Sequence, residues 1–258
     1  MYVDLLFDPF GARWVDVHDG AVAAEAAGFD GVWTYDHLAG SVHGASGVLE
    51  CWTTLTAIAA SVPRIAVGSM VLNVANRDAG TLAVMAATLQ EVSAGRLLLG
   101  IGAGGGADTP YAAEQYALGR DVPGARRRRR AVEDAIATLR QVWTGRADGA
   151  AGFLQPQPPP PIIVGAFGPK MSELAGRVAD GINTSGADLI ARARSAHTGA
   201  GNPPGSFLVT TSASLSSEWL DPHGARRAQL AALDVDRLVL FVRPPYTDAI
   251  RRHARWLS

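Results

Sequence analysis

The strongest constraint on this chain is a rhythm. Short, continuous apolar runs alternate with longer stretches of helical character almost from end to end. The runs fall at residues 3–7, 31–35, 65–72, 96–101, 162–166, 181–184, 207–215 and 237–242. They do not alternate apolar with polar; Leu97-Leu98-Leu99 and Leu238-Val239-Leu240-Phe241-Val242 are apolar throughout. Strands buried on both faces have this composition, and a parallel sheet covered by helices requires it. Helices are expected over residues 14–27, 51–60, 79–93, 125–143, 169–178, 225–233 and 249–256. Gly28 stands just past the first of them, where a left-handed stop is easiest for glycine. Eight strand–helix units joined by right-handed crossovers point to a closed (β/α)8 TIM barrel, with an open doubly wound sheet as the alternative that pattern leaves open. The length of 258 residues suits one such domain over residues 1–258. Residues 102–124 read as irregular, and the pattern blurs between 185 and 206. The proline run at 156–161 feeds directly into a strong strand and reads as a stiff connection, not a domain linker.

Composition removes several function classes. A formal net charge of −1 gives no general attraction to nucleic acid or an anionic membrane. The run Arg126 to Arg130 invites a polyanion reading. It opens a helix that continues Val132-Glu133-Asp134-Ala135-Ile136, so a solvated helix face is the better account. No apolar run approaches the ~18 residues of a membrane span, and no basic-then-apolar leader opens the sequence; a cytoplasmic protein is expected. Cys51 is the single cysteine, which excludes an intramolecular disulfide, and it reads as core. His18, His43, His197, His223 and His253 lack metal-ligand spacing, so no metal is expected. There is no G-x-S-x-G elbow and no P-loop.

In a barrel of this kind the active site lies at the carboxyl ends of the strands. The residues just after each apolar run are therefore the candidates: Asp8, Pro9 and Phe10; Asp36 and His37; Asn73 and Asn76; the glycines 102–106; Phe167, Gly168, Pro169 and Lys170; Ser185 and Gly186; and Arg243. Histidine, with an ordinary pKa of about 6.5, exchanges a proton near neutral pH. An adjacent carboxylate can hydrogen-bond a polar cofactor ring. The same Asp36-His37 pair also fits a plain helix cap with an exposed imidazole. Gly100-Ile101-Gly102-Ala103-Gly104-Gly105-Gly106 superficially matches a dinucleotide fingerprint but lacks the βαβ context that fingerprint needs. Its glycines read as letting backbone approach a bound ring or tail. Gly168-Pro169-Lys170 opens a helix whose free N–H groups suit a phosphate, or forms an ordinary strand-to-helix turn.

Several stretches resemble luciferase-like monooxygenases, especially the branch using coenzyme F420. They are Ala24-Glu25-Ala26-Ala27-Gly28-Phe29-Asp30-Gly31-Val32-Trp33 with Asp36-His37, Ile65 to Val71, Ser93 to Gly104, Leu139 to Gly145, and Pro161 to Lys170 with Ala179-Asp180-Gly181. They span roughly residues 20 to 186 in family order. The resemblance implies a luciferase-like barrel and a ring-shaped redox cofactor. It implies a bulged third strand with a non-prolyl cis peptide at Met70–Val71. It implies ring contact by Asp36, proton donation by His37, and a cofactor phosphate at Gly168 and Pro169. Taken with the mouth residues, the candidate cofactor contacts are Asp36, Met70, Val71, Asn73, Gly102, Ala103, Gly104, Ala166, Phe167, Gly168 and Pro169; the candidate catalytic residues are His37 and Asp36.

This chain departs from the sugar-phosphate dehydrogenases of that branch. Gly105 stands where they carry an acidic glutamate, and their basic phosphate-binding residues have no clear match after Gly186. Arg77-Asp78 replaces a more usual proline-containing turn, and little chain separates Trp143 from Pro161. The expectation is an F420-dependent oxidoreductase acting on a small molecule other than a sugar phosphate, with homodimers as the family suggests. An FMN-dependent monooxygenase using molecular oxygen and a cofactor-binding barrel without turnover are the alternatives. A Schiff-base aldolase is disfavoured, because Lys170 starts a helix instead of sitting on an apolar strand.

Overall fold

The computed structural model describes residues 1–146, 148–149 and 151–256. The strands are β1 (Tyr2–Phe7), β2 (Gly31–Thr34), β3 (Ala66–Ser69), β4 (Leu72–Asn73), β5 (Leu97–Gly102), β6 (Ile162–Gly165), β7 (Gly181–Asn183), β8 (Leu208–Ser214) and β9 (Arg237–Val242). All pair in parallel in the order β3-β2-β1-β9-β8-β7-β6-β5-β4, and a β3–β5 pairing closes the sheet on itself. The helices are α1 (Trp14–Ala27), α2 (Cys51–Ser61), α3 (Ala79–Val92), α4 (Ala112–Ala117), α5 (Ala125–Trp143), α6 (Pro169–Val178), α7 (Ala187–Gly199), α8 (Ser217–Leu220), α9 (Ala225–Ala232) and α10 (Tyr246–His253).

Nine strand segments make eight staves, because the third run is broken in two. Met70–Val71 is a cis peptide, as the resemblance implies. Below the break Val67 and Gly68 pair with Leu97 and Leu98; above it Leu72 and Asn73 pair with Ile101 and Gly102. Gly100 makes the break possible: a methyl there would lie 1.8 Å from the Ser69 carbonyl oxygen. The Ser69 hydroxyl donates to the Gly100 carbonyl at 2.7 Å.

Alternation along each strand separates two cores. Leu6, Trp33, Ile163, Val239 and Met70 pack together inside the barrel. Their strand neighbours, such as Leu5, Val32, Ile162 and Leu238, pack outward with the helices. Trp33 is fully buried, and its Nε1 donates to Asp4 at 2.8 Å. Gly68 faces it, with no space for a side chain: a methyl there would stand 2.4 Å from the indole. Arg237 grips the same Asp4 carboxylate with two bonds of 2.7 and 2.8 Å.

Helix α5 buries Val132, Ala135, Ile136, Leu139, Val142 and Trp143, the i, i+3, i+4, i+7 stripe of an amphipathic helix. Its arginine run is in part a solvated face, where Arg130 pairs with Asp134 at 2.8 Å, while Arg128 turns back to donate to the Gly104 carbonyl at 2.6 Å. Helix α7 lies in the stretch where the sequence pattern blurs. It is hard to read because its buried face is Ile190, Ala193 and His197, too small and polar for a strong apolar signal. Gly176 of α6 lets the two helices touch backbone to backbone, since a methyl there would lie 2.0 Å from the Ala193 carbonyl oxygen. The last helix starts at Tyr246, three residues before the expected 249. Tyr246 is buried, stacks on Phe7 at 4.4 Å and donates its hydroxyl to the Asp8 carbonyl, which draws the helix start inward. The proline run is tied to the barrel by Gln90 Nε2 donating to the Pro158 carbonyl at 2.9 Å. Cys51 is fully buried. Among the described residues no helix is long and apolar enough to cross a membrane, and no cluster of side chains is fit to hold a metal ion.

Candidate active site

A cavity of about 430 Å³ opens at the carboxyl ends of the strands. Leu6, Met70 and Val71 line it on one side, Tyr35 and Phe241 on another, and Gly165 and Asn183 between β6 and β7. Ser212 and Ser214 are exposed into it, and Phe167, 90% exposed, stands at its edge. Among the described residues lining it, none carries a charge. Arg243 stands nearby, 5.4 Å above the Phe241 ring and 3.7 Å from the Asp8 carboxylate. Burial, then the charges of Asp8 and Tyr111, push the Tyr35 phenol up to about 12. It stays neutral through the working pH range.

His37 sits one ring away, 6.1 Å from Tyr35 between centroids. It is boxed by Phe10 at 5.1 Å, Tyr111 at 5.2 Å and His43 at 5.7 Å. This enclosure rules out the plain reading of an exposed imidazole, since the side chain is only 18% exposed. Its Nδ1 meets Glu114 Oε1 at 2.9 Å. Glu114 comes from α4, and its side chain is 4% exposed. Nothing in the sequence pointed to it: α4 lies in the stretch read as irregular.

The Asp36 carboxylate has no exposed side-chain surface and accepts four hydrogen bonds from the protein. The donors are the Asn73 N–H at 2.9 Å, Asn76 Nδ2 at 3.0 Å, and Arg77 Nη1 and Nη2 at 2.9 and 2.8 Å. These bonds hold the β2 and β4 loops together. Arg77 also donates to Glu50. Burial works against the Arg77 charge, but the bonds and charges of Asp36 and Glu50 overcome it and raise the guanidinium well above its ordinary range. Glu50 in turn caps α2, accepting the Trp52 and Thr53 N–H groups at 2.9 and 2.7 Å. Burial pulls the Glu50 carboxyl upward, yet those N–H groups and Arg77 outweigh it and hold it below the usual range. The Arg77-Asp78 departure seen in the sequence supplies the guanidinium that pairs with Asp36.

The glycine loop lies against the broken third run: Gly102 and Gly104 give it room. A methyl at Gly102 would lie 2.7 Å from Val71 Cγ2; at Gly104, where φ is +65°, it would lie 2.5 Å from Asn73 Nδ2. Ala103 packs on the outer core. Asn73 supports Asp36 through its N–H and accepts the Ala75 N–H on its own side chain. Ala166 is fully buried and donates its N–H to the Asn183 carbonyl. Met70, Val71 and Phe167 do line the cavity. Gly168 opens into free space at the start of α6, and Pro169 is that helix's first residue. Tyr35, Asn183, Ser212, Ser214 and Phe241 were not singled out; they are ordinary strand residues until closure brings their ends together.

A parallel eight-stave barrel with a ring-sized cavity at its carboxyl end and a carboxylate-bound histidine beside it has the layout of a barrel enzyme. Residues 9–245 match the luciferase-like monooxygenase family, and the chain belongs to that family. It is 34% identical over 183 residues to the F420-dependent glucose-6-phosphate dehydrogenase of Nakamurella multipartita, covering 66% of this chain and 52% of the relative. It is 34% identical over 172 residues to the F420-dependent hydroxymycolic acid dehydrogenase of Mycobacterium tuberculosis, covering 62% and 46%. The chain thus spans about half the length of the curated relatives it matches. Its fold is that of an F420-dependent secondary alcohol dehydrogenase solved with an F420–acetone adduct. That likeness covers 100% of this chain and 99% of the other, at a TM-score of 0.77 and 16% identity.

Proposed function

We propose that this protein is an F420-dependent oxidoreductase acting on a small, uncharged alcohol or carbonyl compound. The observation that carries the reading is the juxtaposition of His37, held by a buried carboxylate, with an uncharged cavity walled by the Met70–Val71 bulge. The similarity to F420-dependent relatives supports the choice of cofactor. The cavity fits such a group: about 430 Å³ lies within the ~300–1,000 Å³ of organic-ligand sites. Its walls are apolar at Leu6, Met70 and Val71, and it has polar atoms at Asn183, Ser212 and Ser214. Met70 and Val71 would lie against the ring, Phe167 would cover its edge, and the start of α6 would take the phosphate on the N–H groups of Gly168 and Lys170 that flank Pro169. When bound, the deazaflavin supplies hydride exchange.

The chain's own residues do the rest. His37 exchanges the proton of a substrate oxygen. Tyr35 donates a hydrogen bond as a neutral phenol, and Asp36 fixes the loops that carry His37. A phosphorylated sugar is disfavoured, because the cavity lining holds no cation to pair with its charge and Arg243 is already beside Asp8.

The test is a fluorescence titration of the protein with oxidised F420 and, separately, with FMN, followed by turnover across neutral alcohols and ketones. Saturable binding of F420 with oxidation or reduction of an uncharged substrate is expected. Binding of FMN alone moves the reading to an oxygen-using enzyme, and F420 binding without turnover on any substrate supports a binding-only barrel.

A further inference from the structure

Position 105 has no room for an acid. A methyl on Gly105 would lie 2.4 Å from Thr109 Oγ1 and 2.9 Å from Tyr111 Cβ, so the loop is shaped around its absence. The buried carboxylate beside His37 comes instead from Glu114. Its Oε1 lies 2.9 Å from His37 Nδ1 and 3.4 Å from the Ala39 N–H, two residues further along the same loop.

We propose that Glu114 is a positioning residue that fixes the working nitrogen of His37; this rests on the proposed function above only for the identity of the proton's partner. A carboxylate has no proton to give in its ionised form, so Nδ1 must carry one to bond it. That leaves Nε2 as the free nitrogen: an acceptor in neutral imidazole, a donor in imidazolium. Nε2 therefore takes the proton of a substrate hydroxyl during oxidation, or returns it to a carbonyl oxygen during reduction. The electron pair and its hydrogen belong to the cofactor.

The other titratable groups around the ring do not supply this. Tyr35, from β2, is a neutral phenol. Tyr111, just before α4, and His43, in the short turn Gly40–His43, meet the ring through their faces or edges, at 5.2 and 5.7 Å between centroids. A charge on His43 would oppose one on His37. Asp36, next in sequence, is neutralised by Arg77 at 2.8 Å. Glu114 is thus the carboxylate in contact with the ring among the described residues.

The experiment is nitrogen-15 NMR of histidine-labelled protein, without cofactor, with the His37 signal assigned by its loss in His37→Asn. The unaltered protein should show the Nδ1–H tautomer. Glu114→Gln should lose that preference, a mixture of the two tautomers replacing the Nδ1–H form, with the near-ultraviolet circular dichroism unchanged. Glu114→Asp should recover part of the preference, and kcat should fall in Glu114→Gln and partly return in Glu114→Asp with KM little changed. An Nε2–H tautomer in the unaltered protein overturns the proposal, even if Glu114→Gln fails to fold. So does an unchanged tautomer preference in Glu114→Gln. The expected NMR result without F420 turnover would leave the pairing standing and defeat the functional reading alone.

Discussion

Replacing Arg77 with methionine tests the buried pairing of Arg77 with Asp36. The substitution keeps much of the side chain's length and removes its charge. In the native protein Arg77 makes two bonds to an Asp36 carboxylate with no exposed surface, and its own side chain is only 12% exposed. Breaking a buried pair from one side leaves an uncompensated charge and costs about 3–5 kcal/mol. Two donors, the Asn73 N–H and Asn76 Nδ2, remain on the carboxylate, which puts the loss near the lower end, about 3 kcal/mol. For a urea dependence of about 3 kcal/mol per molar, the unfolding midpoint falls by about 1 M. Asp36→Asn alone should cost less, about 1–2 kcal/mol, because Arg77 keeps Glu50 and the amide can still accept. The double variant should be more stable than the sum of the two losses predicts, by about 2 kcal/mol, since neither charge is then stranded. Urea unfolding of the four proteins measures all of this. A stability for Arg77→Met within about 0.5 kcal/mol of the unaltered protein, or strict additivity in the double variant, refutes the argument. Asp36 would then have relief from elsewhere.

Three further expectations follow from the same contacts. His37→Ala should keep F420 affinity in a fluorescence titration while turnover drops about 10²- to 10⁴-fold, the usual contribution of a general acid–base; an unchanged rate removes its catalytic role. Glu50→Ala should cost about 1 kcal/mol at neutral pH, through the lost cap on α2. The Glu50 carboxyl is lowered in the folded state, so its contribution is present above the unfolded value of about 4.3 and is lost as pH falls through the lower folded value. Urea unfolding of the two proteins should therefore converge in acid, and a gap that persists or widens there contradicts the sign. Gly68→Ala should destabilise by about 1–3 kcal/mol by overpacking the Trp33 indole inside the barrel, and a thermal midpoint unchanged from the parent would show that the interior has slack.

Most of the architecture is written along the chain. Helices α1, α5 and α6 have the bounds expected of them, because amphipathic period and glycine or proline punctuation are local properties of twenty residues or fewer. Strands buried on both faces announce themselves as apolar runs. The closed parallel barrel and the Met70–Val71 bulge were legible by pattern or resemblance. The site's chemistry was not. Glu114 meets His37 across 77 positions, Arg77 meets Asp36 across 41, and Arg237 meets Asp4 across 233. No spacing rule links such partners, because nothing local brings them together; only barrel closure does. The glycines at 102 and 104 make the same point in reverse. Their sequence says that something comes close, and the fold puts Val71 and Asn73 there. Sequence by itself determined which segments become strands and helices, since each carries its own period and stops. Tertiary structure decided which carboxylate is stored in a buried ion pair and which is left to hold the histidine, since hydrogen-bond partners are assigned by distance in space.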